Sequence, residues 1–232
     1  MFKISFLTLF PDSFEWLKQY SIIKNALEKR YVEIEIINFR DWSKDKHKKV
    51  DDYQFGGGPG MVIGLQAICD CLQEVRTPNC LVYLLSPSGI TYNQNIAKQI
   101  LSKTNHLILI CGHYEGFDYR IHNYIDGEIS IGDFVVSGGE IPSMVIADSL
   151  IRLIPNVIST DSLVNESFEN YLLDYPVYTK PQDYDGHLVP DVLLSGNHQL
   201  IADYRYKEQL KLTKQKRKDL YLKYIKLRKE EN

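Results

Sequence analysis

Four glycine-containing segments hold the residue types with which this chain could do chemistry. Phe55-Gly56-Gly57-Gly58-Pro59-Gly60-Met61 follows a polar stretch, Asp41 to Asp52; Leu85-Ser86-Pro87-Ser88-Gly89 closes an apolar run; Ile110-Cys111-Gly112-His113-Tyr114-Glu115-Gly116 ends another; and Ser130 to Pro142, SIGDFVVSGGEIP, joins a strand to a helix. Glycine in such places lets the backbone approach a ligand and present its N–H and C=O groups directly. In an open α/β sheet the carboxyl ends of the strands are where ligands bind. One such loop is an ordinary turn, but several at strand ends exceed what turn chemistry needs.

Better-known motifs fail. Neither G-x-G-x-x-G nor G-x-x-x-x-G-K is present, which removes the main support for a dinucleotide site or an NTPase, and no G-x-S-x-G elbow occurs. His113-x-Glu115 is half of a zinc deaminase signature without its P-C-x-x-C partner. Cys69 and Cys71 fall on an expected helix, where residues two apart point about 200° around the axis and cannot chelate together. No protein-built metal site is expected.

The elements that must position these loops read as α/β. Strands are expected at Ile4 to Phe10, Val32 to Phe39, Leu81 to Leu85, Leu107 to Cys111 and Ile129 to Val136, with helices at Asp12 to Lys29, Leu65 to Arg76, Asn93 to Lys103 and Ser143 to Leu153. The unbroken hydrophobicity of Leu107 to Cys111 suits a strand covered on both faces, so the sheet is expected to be open and mostly parallel. After Leu153 the pattern lapses. Residues 154–165 read as a linker, and Val192 to Leu194 and Gln199 to Ile225 carry helical spacings, so residues 1–153 form one domain and 166–232 a small helical one.

Composition narrows the class. The chain has 232 residues, 44% hydrophobic and 25% charged, and no run approaches the roughly 18 apolar residues of a membrane span. A cytoplasmic protein with reduced thiols at Cys69, Cys71, Cys80 and Cys111 is expected. The formal net charge is -3, yet residues 205–232 hold 11 Lys or Arg against 4 Asp or Glu. That tail is either a polyanion-binding element or a solvated charged helix.

Taken in order, GGGPGM (56–61), LLSPSG (84–89), CGHYEGFDYRI (111–121), SIGDFVVSGGEIPSMVIADSLIRLIPNVI (130–158), ESFENYLLDYPVYTKP (166–181) and VPDVLLSGNH (189–198) closely resemble the bacterial tRNA (guanine-N1)-methyltransferase family, TrmD. The resemblance runs from Met1 to about Tyr224. It implies a SPOUT-class fold, α/β with a mostly parallel sheet, a deep trefoil knot and a small helical C-terminal domain, and a homodimer with active sites between subunits. It also implies S-adenosylmethionine as methyl donor, bound in a bent form. The substrate it implies is tRNA, methylated on N1 of the guanosine immediately 3′ of the anticodon (position 37) when another guanosine precedes it. Magnesium is an expected helper in the family, with no residue announcing a site.

Carried over by position, the resemblance assigns donor contacts to Leu84, Leu85, Ser86, Pro87, Gly112, Tyr114, Glu115, Gly116, Ser130, Ile131, Gly132, Phe134, Val136, Gly138, Gly139 and Pro142. A side chain at Gly138 or Gly139 is expected to intrude where backbone meets the adenine, so that Gly139→Val weakens donor binding and spares the fold. Glu115 is the acid placed to meet the donor's polar end or the guanine, and otherwise caps a turn. Guanine N1 carries a hydrogen at neutral pH, so a base must remove it and a cation must steady the adjacent oxygen. The matching positions are Glu166 as base and Arg152 as cation, with Asp174 a second carboxylate in the same motif. Read without the family, Glu166 is a helix N-terminal acid and Arg152 a cation at a helix C-terminus. Lys180, Arg205, Lys214, Lys216, Arg217 and Lys218 are the expected tRNA contacts.

The chain departs from the family's usual residues at several of these positions. Glu166 stands where aspartate is usual, Phe134 where tyrosine is common, Val177 for histidine, Lys180 for arginine, and Tyr204 and Lys218 for tryptophan and proline. Lys for Arg keeps a phosphate charge but loses the bidentate fork. Two rivals are a knotted enzyme acting on the ribose 2′-oxygen, which the carboxylate after the linker argues against, and a non-catalytic RNA-binding module, which has no need of a donor pocket.

Overall fold

The computed structural model describes residues 1–159, 163 and 166–230, and the chain divides into two compact units, Met1–Ile158 and Ser159–Asn232. In the first unit, strands β1 (Phe2–Thr8) and β2 (Val32–Asn38) are followed by a two-residue pair, β3 (Asp51–Asp52) and β4 (Val62–Ile63), and then by β5 (Leu81–Thr91), β6 (His106–Ile110) and β7 (Gly127–Ser130). The main sheet runs β2-β1-β6-β5-β7 and every pairing in it is parallel.

Alternation explains the double-sided burial. Leu107, Leu109 and Cys111 enter one apolar cluster with Ile4, Phe6, Ala97, Ile100 and Met144. Ile108 and Ile110 enter another with Leu7, Val82, Ala67 and Ile68. Successive side chains of a strand face opposite ways, so a sheet packed by helices on both faces needs an unbroken apolar run at its centre. The helices supplying the first cluster are α2 (Ser21–Glu28), α4 (Gln94–Lys103) and α5 (Glu140–Leu153), and α3 (Leu65–Val75) supplies the second. The sequence-based expectation of an open, mostly parallel α/β sheet matches this architecture.

Three boundaries need correction. The stretch Asp12 to Lys29 is not one helix: a 3₁₀ turn at Pro11–Phe14 leads into α1 (Glu15–Gln19), and Tyr20 is extended, with φ -69 and ψ 132, before α2. Leu17 and Ile23, both buried, would lie about 120° apart around one continuous helix, and the break at Tyr20 restores both to the core. The strand expected over Ile129 to Val136 stops at Ser130. Ser130 Oγ accepts from Gly132 N at 3.2 Å and donates to Gly132 O at 3.1 Å, and Gly132 sits at φ 147, so a side chain competes for the ladder and the chain turns away. Helix α5 begins at Glu140 rather than Ser143.

The second unit holds the helices Asp191–Leu194, His198–Lys216 and Lys218–Glu230, so Gln199 to Ile225 is also interrupted, at Arg217. In a continuous helix Tyr206 and Tyr224 would be roughly 27 Å apart. Here their hydroxyls are hydrogen-bonded, because the break folds the last helix back on its predecessor. Arg217 at the break grips Asp219 through two bonds of 3.0 and 2.8 Å.

A buried polar cluster lies at the start of β6. His106, 2% exposed, bonds Ser5 Oγ at 2.9 Å and Thr77 Oγ1 at 2.7 Å, and Ser5 Oγ donates to Glu35 at 3.0 Å. Burial, then the charge of Lys3, lower the His106 pKa against the opposing pull of Glu35 and Glu33. The unfolded chain therefore binds this proton before the folded one does, and stability should fall as pH drops below about 6.5. Melting temperatures between about pH 7 and pH 5 check this, and a wild-type profile with no decline there would mean that His106 takes up its proton as readily in the folded protein as in the unfolded chain. Glu35 acts in a lower window: burial raises its pKa, but hydrogen bonds from Lys3 and Ser5 outweigh that and lower it overall. Its contribution is present above the ordinary carboxylate range and is lost as pH falls through the folded value.

Candidate active site

The loops that follow β5, β6 and β7 converge on one cleft of about 610 Å³. Its first wall is a bulge in β5. Leu85 and Ile90 both register with Ile129, so Ser86 to Gly89 loop out between them. The second wall is Gly112 to Gly116, beyond the fully buried end of β6. The third is the turn from Ser130 to Gly139, where β7 gives way to α5.

Every residue assigned to the donor from the sequence lines this cleft: Leu84 to Pro87, Gly112, Tyr114, Glu115, Gly116, Ser130, Ile131, Gly132, Phe134, Val136, Gly138, Gly139 and Pro142. The backbone at Gly112 is approachable, since a Cβ there would meet nothing nearer than Phe117 at 3.5 Å, and at Gly116 one would meet nothing within 4 Å. These are places where a ligand can lie against main chain. The GGGPGM segment braces the second wall: Met61 O accepts from Glu115 N at 3.0 Å, Ile63 N donates to Gly116 O at 2.8 Å, and the Glu115 side chain lies over Gly60.

The reason for glycine at 138 and 139 is different from the one expected. A Cβ on Gly139 would stand 2.6 Å from Cys111 Cα and 2.8 Å from Gly112 N, against the protein's own backbone rather than in ligand space. One on Gly138 would run into the His113 ring and Glu140 Oε2. Both glycines let the start of α5 press onto the end of β6, a contact sealed by Gly139 N donating to Gly112 O at 2.9 Å.

Ser88, His113, His122 and Glu128 also line the cleft and were not assigned from sequence. Ser88 and His113 lie inside the motifs quoted above and could have been found there. His122 and Glu128 have no local signal. They meet at 3.4 Å only because the 3₁₀ helix Tyr119–Tyr124 comes beside β7, where Ser88 Oγ also donates to Glu128 at 3.0 Å.

The residues assigned to chemistry fall in both units. Arg152 is in the last turn of α5, one turn beyond Asp148, whose pKa burial raises against the charge of Arg152. Glu166 and Asp174 belong to the second unit. Asp174 is tied locally, since its N–H donates to Ser167 Oγ at 2.9 Å and its Oδ1 accepts from Tyr175 N at 2.7 Å. This segment is pinned to the helix His198–Lys216 by Leu173 N donating to Thr213 Oγ1 at 2.8 Å. Among the tRNA candidates, Lys180, Arg205, Lys214, Lys216, Arg217 and Lys218 are all exposed. Arg205 stacks on Tyr175 at 4.8 Å, and Arg217 is occupied by Asp219. No group of three or more His, Cys, Asp or Glu among the described residues could hold a metal ion, and none of the described helices is long and apolar enough to cross a membrane.

The family described as tRNA (Guanine-1)-methyltransferase TrmD matches residues 2–223, nearly the whole chain. The chain belongs to this family. Its TrmD relatives include the tRNA (guanine-N(1)-)-methyltransferases of Malacoplasma penetrans, 59% identical over 97% of this chain and 99% of that one, and of Ureaplasma urealyticum, 56% identical over 96% and 98%. That of Mycoplasmoides gallisepticum is 54% identical over 96% and 97%. Membership of TrmD makes the protein a methyltransferase and implies S-adenosylmethionine as its donor.

Proposed function

We propose that this chain transfers a methyl group from S-adenosylmethionine to N1 of the guanosine immediately 3′ of the anticodon, position 37, in tRNA. It would do so in the cytoplasm, as a homodimer of knotted SPOUT subunits with active sites between them. Residues 1–153 would hold the donor, 154–165 link, and 166–232 bind tRNA. The observation that carries the reading is the convergence of the three glycine loops on a single cleft at the sheet's carboxyl edge. Bound there, the donor supplies an electrophilic sulfonium methyl. Backbone groups of Gly112 to Gly116 and Ser130 to Gly139 would align it. Glu166 would take the N1 proton as the N1–carbon bond forms and the carbon–sulfur bond breaks, and Arg152 would steady the negative charge developing on the neighbouring oxygen.

The homodimer reading draws on an exposed apolar ridge. Ile141 and Val145, one turn apart on α5, are 61% and 46% exposed, and Val135 beside the cleft is 87% exposed. A second copy would cover them. Magnesium rests on the family alone, since no cluster of described residues fits it, and no step here uses it.

The test is to treat unmodified tRNA with protein and S-adenosylmethionine and map the product. 1-Methylguanosine next to the anticodon is expected, and a ribose 2′-O-methyl group, or no product, would overturn the reading. The tail predicts a second result. If Lys214, Lys216 and Lys218 neutralise phosphates, replacing all three with alanine should weaken every tRNA alike and make the salt dependence shallower, with donor affinity unchanged. Arg217 is left out because its loss would also free Asp219. Wild-type salt dependence in the triple variant would mean a solvated face.

A further inference from the structure

In the sequence His113 is half of an incomplete zinc motif, and methyl transfer as proposed here makes no use of it. In the structure it joins three segments: its own loop, the end of β1 and the start of α5. Its Nε2 lies 2.7 Å from Oε2 of Glu140, the first residue of α5, and its side chain is 17% exposed. Glu140 is 6% exposed, a carboxylate taken almost wholly out of water. Its other oxygen accepts from Thr8 Oγ1 at 2.5 Å, and Thr8 Oγ1 in turn accepts from Phe10 N at 2.9 Å. The Phe10 ring packs on the His113 ring at 4.5 Å. A carboxylate oxygen only accepts, which assigns the Nε2 proton to His113.

This chain of contacts is built against the cleft. His113 and Gly138 both line it, whereas Glu140 and Thr8 stand behind it. The Gly138 backbone lies so close to the His113 ring and Glu140 that no side chain fits between them. A buried carboxylate is costly unless its acceptors are filled, so the charge-assisted bond from His113 holds Glu140, the start of α5 and the Gly138–Gly139 backbone in one arrangement.

We propose that His113 is a positioning residue for methyl transfer: through its hydrogen bond to Glu140 it sets the Gly138–Gly139 wall of the donor cleft. This rests on the reading of the cleft as the S-adenosylmethionine site. The role is indirect, so its loss should appear in donor affinity and not in tRNA affinity.

The experiment compares His113→Ala, His113→Gln and the double variant His113→Ala with Glu140→Gln, by calorimetry with S-adenosylmethionine, tRNA binding and single-turnover methylation at saturating donor. Gln places an amide N–H near the position of Nε2. We expect His113→Ala to weaken donor binding about tenfold, the scale of one lost hydrogen bond to a charged group. Its tRNA affinity and saturated rate should stay within about threefold of wild type. His113→Gln should recover most of the donor affinity. The double variant should bind donor better than His113→Ala, because the stranded carboxylate is gone. Wild-type donor affinity in folded His113→Ala, or equal damage in His113→Ala and His113→Gln, would overturn the proposal while leaving the donor site standing. A wild-type protein that binds no S-adenosylmethionine would overturn the donor site and the positioning role together.

Discussion

Single-turnover methylation by Glu166→Gln is expected to fall roughly 10²-fold or more, the usual scale for a lost general base, while tRNA and donor affinities barely move. The motivation is chemical: N1 of guanine must lose a proton, and of the carboxylates in the motif after the linker, Glu166, Glu169 and Asp174, the resemblance matches Glu166 and Asp174 to the family's acids. Glu166 falls at the position of the base in the family resemblance. Asp174 already accepts from Tyr175 N at 2.7 Å and is held from behind by Ser167, which suits a residue shaping the loop. Glutamine keeps size and hydrogen bonding but cannot take the proton. Glu166→Asp, the residue usual in the family, should keep substantial activity if the backbone accommodates its shorter reach. A Glu166→Gln enzyme at near wild-type rate, beside an inactive Asp174→Asn, would reverse the assignment.

Gly139→Val should damage both stability and donor binding. A Cβ 2.6 Å from Cys111 Cα has only backbone to push against, so α5 must lift from the end of β6 and the bond between Gly139 N and Gly112 O must stretch. Overpacking of this kind costs about 1–3 kcal/mol or more. Because the displaced segments are two walls of the cleft, donor affinity should drop at least about tenfold, together with a fall in melting temperature. Calorimetry and thermal melts check both. Unchanged stability with weakened donor binding would restore the simpler view that glycine is there for the ligand alone. Unchanged values for both would remove this loop from the site.

Residue order by itself determined the α/β class, the central strand and the loops that line the cleft. Each depends on local signals: an unbroken apolar run at Leu107 to Cys111, and glycines beside strand ends in a motif order that resembles one family. The elements that failed did so where distant contacts outweigh local pattern. The apolar residues after Ser130 read as strand, but Ser130 bonds its own backbone and Gly132 turns the chain into the cleft wall. Helical spacing ran through Tyr20 and Arg217, and only packing, of Ile23 into the core and of Tyr224 onto Tyr206, required the breaks.

The site divides in the same way. The loops that line the cleft were legible because glycine marks them. The chain of Thr8, His113 and Glu140 was not, since 132 residues separate its ends and no spacing rule links the end of the first strand to the start of the fifth helix. Nor could sequence say what Gly138 and Gly139 are for. A missing side chain looks the same whether the space belongs to a ligand or to Cys111 and His113, and only the tertiary contact that sets Gly139 N on Gly112 O decides between them.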